Sequence, residues 1–192
     1  MTIVSPAPVV DDPTDEALDA ALLARWRAGD ERAATAVVER HAPALGRYVA
    51  SLGARADVEE VVQDTFVRAF QALDGFRADS SLRTWLFTIA RRLVLDRRRA
   101  GSRRARHETD APEGVDVAGE HTALDDLVAG ETHGRLRAAV ARLTPTQREV
   151  FLLRVVEGRA YKEIAQIAGT TEGSARVHYH NALRSVQEFL DV

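Results

Sequence analysis

The chain has no cysteine among its 192 residues, and it has a single methionine and two tryptophans. Without cysteine the protein can form neither disulfides nor thiolate metal sites, so a reducing compartment suits it. No apolar run reaches the roughly 18 residues that a membrane span needs, and the first residues lack the basic start and apolar core of a secretory signal. We therefore expect a soluble, cytoplasmic protein.

The sequence also lacks the patterns on which most enzymes depend. It has no glycine-rich phosphate loop, no His-Glu-x-x-His pair and no serine elbow. Glu60 and Asp64 have a spacing that can ligate a metal, but no histidine accompanies them as such sites require, and His178 and His180 would point to different sides of a helix. We expect no catalytic residue, metal, cofactor or small-molecule substrate, so an all-helical enzyme is only a distant alternative.

The net charge of −3 conceals a very uneven distribution of charge along the chain. Residues 91–106 carry eight arginines against one aspartate, whereas residues 107–131 carry eight acids and no lysine or arginine. Blocks of opposite sign suggest separate sites for separate partners. Closely spaced arginines repel one another unless solvent or phosphates neutralise them, so the basic block indicates a nucleic acid partner, with a non-specific basic tail as the alternative.

Hydrophobic residues recur at helical spacing over most of the chain, and no segment alternates as a strand does. We expect an all-α protein of two small helical domains joined by a flexible acidic linker. The predicted boundaries are a disordered tail over residues 1–13, an N-terminal helical domain over 14–100, the linker over 101–131 and a C-terminal helical domain over 132–192.

Capping residues locate the starts of the predicted helices. They are Asp30, Asp57, Ser80 or Ser81, Thr144, and Thr170 or Thr171. At Thr144 the following Pro145 and Gln147 add the features of a capping box with proline at the first helical position. Pro43 is expected to kink or restart the second helix, because proline lacks the N–H that an interior turn needs.

Residues 161–186 have the layout of a helix-turn-helix, with Gly169 in the turn. On the second helix, one polar face holds Glu172, Arg176, His180 and Arg184 at every fourth position. Arg176 could bind a guanine edge and Glu172 could accept from a cytosine amino group, while Arg184 could hold a phosphate. The alternative is an ordinary helical hairpin with a solvated face.

Aromatic side chains precede the arginine block. Bases of an opened strand bind where a basic groove runs beside aromatic pockets, and Phe76, Trp85 and Phe87 lie just upstream of the arginines. Trp85 falls on the apolar stripe of its helix, which favours core packing. Phe87 lies off that stripe, although it could pack against another helix.

Taken together, these segments resemble a known family. Residues 57–99 resemble the second conserved region of extracytoplasmic-function sigma factors of bacterial RNA polymerase, and residues 143–186 resemble their fourth region. The resemblance implies a transcription initiation factor that binds core polymerase, directs it to promoters and helps melt the minus-ten element. The nearest alternative is a helix-turn-helix regulator that binds duplex DNA without polymerase, which would leave residues 84–92 without a role.

The resemblance also implies roles for individual residues. Residues expected to bind the clamp helices of the largest polymerase subunit are Asp57, Glu60, Gln63, Asp64 and Phe66. Residues expected to bind the minus-ten element, with a flipped base in the loop from Phe76 to Ser81, are Phe76, Ser80, Ser81, Arg83, Thr84, Trp85, Arg91, Arg92, Arg97 and Arg98. Residues expected to bind the minus-thirty-five element, in a domain that also touches the flap of the second-largest subunit, are Thr171, Glu172, Ser174, Arg176, His180 and Arg184.

The family implies two further features. An anti-sigma factor is expected as a partner, and the acidic linker would thread the RNA exit path of the polymerase, where it could imitate a polyanion; a solubilising linker is the alternative. The family commonly has asparagine where Arg92 stands and basic residues where His178 and Asn181 stand. These departures affect the promoter sequence that the chain would read.

Overall fold

The computed structural model describes residues 13–108 and 131–190, so the predictions for the N-terminal tail and for most of the acidic linker lie outside the described residues. Within this part every regular element is a helix, which confirms the all-α prediction. The α-helices are α1 Pro13–Arg27, α2 Glu31–Ser51, α3 Val58–Gln71, α4 Leu82–Glu108, α5 Glu131–Ala141, α6 Pro145–Val155, α7 Tyr161–Ala168 and α8 Glu172–Leu190.

Helices α1 to α4 pack into a first group, which we call the N-terminal bundle. The Asp30 carboxylate accepts a hydrogen bond from the Arg32 amide at 3.0 Å, so this residue caps α2 as predicted. Helix α2 continues through Pro43 as a single helix, so the proline does not restart it, and the kink stays a prediction. Its buried face, with Val37, Leu45 and Val49, supplies the centre of the bundle.

Two predicted caps in this bundle have different outcomes. Asp57 precedes α3 but its side chain makes no capping hydrogen bond, because the residue ends a 3₁₀ turn and its carboxylate faces Arg97. At the start of α4 the Ser81 hydroxyl accepts from the Thr84 amide at 3.2 Å, which decides between the two candidate serines.

Helix α4 is longer than the sequence predicted. It continues to Glu108, beyond the proposed domain boundary at residue 100, and α5 already begins at Glu131. The glycine, proline, serine and acidic residues of 101–131, with their weak periodicity, favour a linker with one short helix at most. Strong helix formers on both sides outweigh the cost of about 1 kcal/mol for a glycine inside a helix.

Helices α5 to α8 form a second group, the C-terminal bundle. The predicted capping box is present, since the Thr144 hydroxyl accepts from the Gln147 amide and the Gln147 side chain accepts from the Thr144 amide. Gly169 ends α7 with a φ of +65°, a conformation that glycine adopts without strain, and the Thr171 hydroxyl then caps α8 through the Ser174 amide. The helix-turn-helix is therefore formed by α7 and α8.

The two bundles are in contact, with α4 packed against α7 and α2 against α6. Their buried side chains form one continuous hydrophobic cluster. In the described part of the chain no helix combines the length and the apolarity of a membrane span. The contact between the bundles brings α4, with its arginines, against the helix-turn-helix.

Candidate nucleic-acid interface

The predicted reading face lies on the outside of α8. Its exposed side chains are Thr171, Glu172, Arg176, His180 and Arg184, and Ser174 is half-buried beside them. The opposite face is an apolar stripe that buries Ala175, Tyr179, Ala182 and Val186. The apolar stripe thus fixes the rotation of α8, and that rotation turns the polar face to solvent.

Arg176 is held in place by two neighbours. Its guanidinium binds Glu172 at 2.5 Å and lies over the ring of Tyr161, 4.6 Å from the ring centre. The guanidinium of the buried Arg154 lies over the same ring at 4.7 Å. Burial of Tyr161 raises the pKa of its hydroxyl, so the ring stays neutral between two cations. Sequence reasoning missed Tyr161, because it stands at the start of α7 and no local pattern links it to α8.

The loop between α3 and α4 carries the predicted base pocket. Phe76 and Trp85 pack ring against ring with centres 4.8 Å apart, and Ser80 and Ser81 are half-buried. Ala78 has a φ of +56°, a conformation that is strained for a residue other than glycine. A cavity of about 440 Å³ lies beside the loop. It is bordered by Phe76, Ala78, Ser80 and Ser81, by Glu16 and Asp19 of α1, and by Lys162 and Glu163 of α7.

Phe87 is wholly buried and stacks on Tyr48, with ring centres 4.7 Å apart. This residue therefore packs against α2, as the sequence left open, and it takes no part in a surface for bases.

Several predicted DNA-binding residues on α4 contact the C-terminal bundle instead of solvent. Arg83 binds Glu157 at 2.6 Å and Arg91 binds Glu149 at 2.7 Å. Thr84 is 1% exposed, and its hydroxyl donates to Glu163 at 2.7 Å. The surface predicted for the minus-ten strand is therefore covered at these three positions.

Burial by itself lowers the pKa of Arg91, but the hydrogen bond and the charge of Glu149 outweigh burial, so the pKa is raised. The guanidinium therefore remains a cation in the covered state.

The remaining arginines of α4 have different surroundings. Arg92 is exposed on the surface of the helix. Arg98 donates to the carbonyl oxygen of Leu52 at the end of α2. Arg97 binds Glu60 at 2.9 Å and Asp64 at 2.8 Å, and it lies 4.0 Å from Asp57. The arginines that the sequence grouped together thus point to different parts of the surface.

The acidic face predicted to bind polymerase is present on α3. Asp57, Glu60 and Gln63 are exposed and Asp64 is half-buried, with Arg97 bound among the three carboxylates. The hydrogen bond that Arg97 donates to Glu60 is the main reason that the pKa of Arg97 is raised. Phe66 departs from the prediction: it is 5% exposed and packs in the core beside Phe70, so its side chain supports α3 from beneath and is not on the surface.

Comparison with known proteins matches two parts of the chain to sigma factor families. Residues 37–104 match sigma-70 region 2, and residues 133–186 match sigma-70 region 4. The chain is 35% identical to the RNA polymerase sigma factor NccH of Alcaligenes xylosoxydans xylosoxydans, over 82% of this chain and 87% of that protein. It is also 35% identical to the extracytoplasmic-function sigma factor SigC of Mycobacterium tuberculosis, over 84% of this chain and 85% of that protein.

A solved structure has a similar arrangement of helices. The sigma factor RpoE of Bartonella quintana, crystallised in complex with the anti-sigma factor NepR, matches with a TM-score of 0.68 and 27% identity. The match covers 82% of this chain and 96% of RpoE. Both bundles thus have counterparts in one known protein, in the order in which they occur here.

Proposed function

The chain belongs to the sigma-70 family of RNA polymerase sigma factors and, within it, to the extracytoplasmic-function type, and we propose that its two bundles divide the reading of a promoter between them. As a sigma factor it directs the polymerase to specific promoters. The N-terminal bundle binds the clamp helices of the largest subunit and the minus-ten element. The C-terminal bundle reads the minus-thirty-five element and touches the flap of the second-largest subunit.

The observation that carries this proposal is the exposed polar face of α8. A single helix fits the major groove of DNA. There an arginine that donates two hydrogen bonds to guanine, or a carboxylate that accepts from cytosine, distinguishes one base pair from another. Arg176 and Glu172 lie near the start of α8, which is the part of a recognition helix that contacts base edges. Arg184 lies two turns further on, where it suits a phosphate.

The minus-ten role is assigned to the loop and to α4. A protein without a nucleotide-binding site recovers the cost of opening DNA by binding the exposed strand, at a few kcal/mol per unstacked base. The side of the cavity that the loop forms, with Phe76, Ser80 and Ser81, suits a flipped base. Arg92 on the exposed side of α4 suits the backbone of the same strand.

The acidic face of α3 is assigned to polymerase binding. Glu60 and Gln63 are exposed, and three carboxylates around one arginine leave a net negative surface that suits a basic partner. We also assign an anti-sigma factor as a partner, by similarity to RpoE, which was crystallised with one. In this assignment the protein acts in the cytoplasm and is not an enzyme.

In vitro transcription tests the assignment. Purified full-length chain is added to core polymerase free of other sigma factors, with a library of genomic fragments as template, and transcript start sites are mapped. We expect starts that share two upstream elements, and loss of these starts when the chain is omitted. A chain that fails to co-elute with core polymerase and yields no starts of its own would contradict the proposed function.

A further inference from the structure

We propose that Glu149, Glu157 and Glu163, which we call the glutamate row, form an intramolecular binding surface for the promoter-binding side chains of the N-terminal bundle. The chain by itself is then closed, and promoter DNA binds the N-terminal bundle only after the two bundles separate. This inference rests on the proposed function, since it takes Arg83, Thr84 and Arg91 as DNA-binding residues.

Each member of the glutamate row contacts a different part of the opposite bundle. Glu157 binds Arg83 at 2.6 Å and Arg47 at 3.3 Å. Glu149 binds Arg91 at 2.7 Å and accepts a hydrogen bond from the Tyr48 hydroxyl, also at 2.7 Å. These contacts join α2 and α4 to the C-terminal bundle by side chains that are far apart in the sequence.

Glu149 and Glu157 have no comparable role within their own bundle. Among the residues that the structure describes, every side-chain hydrogen bond of these two glutamates goes to the N-terminal bundle. They are nevertheless only 7% and 6% exposed. Removing a carboxylate from water costs several kcal/mol unless a partner compensates it, so their burial is favourable only when the N-terminal bundle is in place.

Glu163 differs from the other two, because it also serves its own helix. It accepts from the Ala160 amide as part of the cap of α7 and binds the Arg159 guanidinium at 3.2 Å. Glu163 therefore stabilises its own bundle as well as contacting Thr84 of the other one. For this reason Glu149 and Glu157 are the residues whose substitution tests the closed state.

Closure and DNA binding exclude each other at the same atoms. Arg91 donates through Nε and Nη2 to Glu149, and these are the donors that a guanidinium uses to bind a phosphate. Thr84 is buried beneath α7, and the cavity beside the loop has Lys162 and Glu163 of α7 along its border. A DNA strand laid along α4 would have to displace α7.

The energetics suit a reversible contact. A buried ion pair contributes a net free energy close to zero, because the attraction of the two charges offsets the loss of their hydration. On separation the carboxylates return to water and no charge is left buried without a partner. The polymerase and DNA can therefore open the chain by binding the N-terminal bundle more tightly than the glutamate row does.

The first test measures the distance between the bundles in the full-length free chain. Because the protein has no cysteine, Arg68→Cys on α3 and Ser185→Cys on α8, both at exposed positions, would carry the only two spin labels. We expect one narrow distance distribution for this labelled chain, and a longer and broader one when Glu149→Gln and Glu157→Gln are added. Arg47→Gln removes the same contact by a change in the N-terminal bundle. It should also lengthen the distance between the two labels, although the C-terminal bundle is unaltered.

The matched control is Glu31→Gln with Glu39→Gln, which removes the same charge from exposed positions on α2. It should leave the distance distribution unchanged. A broad distribution in the unsubstituted chain, or the same narrow one in the Glu149 and Glu157 variant with native circular dichroism, overturns the proposal.

The second test measures binding of a mixed-sequence single-stranded DNA oligonucleotide. If the closed state is populated at about 90%, the Glu149→Gln, Glu157→Gln variant should bind about tenfold more tightly than the unsubstituted chain, since the apparent affinity scales with the open fraction. The Glu31→Gln, Glu39→Gln control, which has the same net charge, should gain much less affinity for the oligonucleotide. Equal gains in the two variants would mean that net charge alone explains the change, which also overturns the proposal.

The distance measurement needs neither polymerase nor promoter, so the two proposals can fail separately. A failed transcription assay with a distance that responds to the glutamate substitutions removes the proposed function and leaves the closed state. Normal transcription with a distance that does not respond removes only the closed state.

Discussion

Arginine side chains illustrate how neighbours decide the role of a residue. Arg97 lies among the three carboxylates of the acidic face, Arg91 is bound to Glu149, and Arg92 faces solvent, although all three belong to one run on α4. A helix turns by about 100° per residue, so adjacent arginines face different elements. We therefore expect substitutions within this run to have different effects on polymerase binding, on closure and on DNA binding.

Arg176 and Arg184 should differ in how they affect promoter choice. Arg176→Ala should cost about 1–3 kcal/mol and relax the preference at one base position, because a bidentate contact to a base edge is lost. Arg184→Ala should weaken binding to all sequences by the same factor, because a contact to a phosphate carries no sequence information. Binding of the full chain with core polymerase to a library randomised over the minus-thirty-five element distinguishes the two. Identical effects of both substitutions would show that the contacts are assigned to the wrong residues.

Tyr161 should act as a positioning residue for Arg176. The cation–π contact at 4.6 Å is worth about 0.5–1 kcal/mol at an exposed site. Tyr161→Leu should relax the preference at the base position that Arg176 reads, while Tyr161→Phe retains the aromatic face and should preserve the preference. The same randomised library provides the measurement. Loss of overall affinity in both variants, without a change of preference, would indicate a packing role only.

Among the elements, α3 provides the clearest separation of a folding face from a binding face. Val61, Phe66 and Ala69 are buried on one side, and the acids occupy the other. Glu60→Arg with Asp64→Arg should weaken core polymerase binding at least about tenfold, because new positive charges would face the basic partner that we propose and would also repel Arg97. Fluorescence titration with labelled core polymerase measures the loss.

The control for this element is Glu31→Arg with Glu39→Arg, which makes the same change of charge on exposed positions of α2. Circular dichroism should be native in both variants. An unchanged affinity in the α3 variant with a native spectrum would remove polymerase binding from this face.

Local chemistry explains which elements could be predicted from the sequence. The caps at Asp30, Ser81, Thr144 and Thr171 depend on residues a few positions apart, and the sequence predicted them, with a neighbouring residue as the alternative for the second and the fourth. Two residues that favour a break in a helix did not produce one, because their neighbours favour its continuation. Pro43 remains inside α2, and α4 continues past residues 101 and 102 to Glu108.

Tertiary pairs could not be predicted in the same way. Glu149 lies in the middle of α6, and its partner Tyr48 stands 101 residues earlier in the chain. No periodicity relates two such positions, so the sequence predicted the members of the candidate site but not the contacts between the bundles. Phe66 is a different case, because its helical spacing is that of a buried residue, whereas the family resemblance assigned it to polymerase binding; the structure places it in the core.

At the scale of the whole molecule, opposite charges meet where the bundles meet. Arg83 and Arg91 of α4 contact the glutamate row, whereas Arg92 on the same helix is exposed to solvent. The net charge of −3 coexists with a surface for nucleic acid, because acids outside the two bundles, mostly in residues 107–131, outweigh the excess of basic residues within them. Because the two surfaces belong to different bundles, separation of the bundles would expose the glutamate row and the DNA-binding side of α4 at the same time.

Promoter opening by the whole protein should depend on the loop before α4 and on Arg92 in different ways. Ser80→Ala, beside the cavity, should alter which promoters open, because the cavity would hold a specific base. Arg92→Ala should lower opening at all promoters and make the salt dependence of binding shallower by a slope of about 1, since one phosphate contact is lost. Permanganate footprints of holoenzyme on several promoters, at a series of salt concentrations, measure both effects.

A template with a pre-melted bubble separates melting from the other steps of initiation. If a variant is defective in melting, the bubble should restore its transcription, because the cost of unstacking has already been met. Both variants should be rescued on the bubble to near the unsubstituted level. Footprints that show full strand opening in both variants on duplex templates, with no rescue on the bubble, would mean that another part of the holoenzyme opens the DNA. The N-terminal bundle would then only hold the polymerase at the promoter.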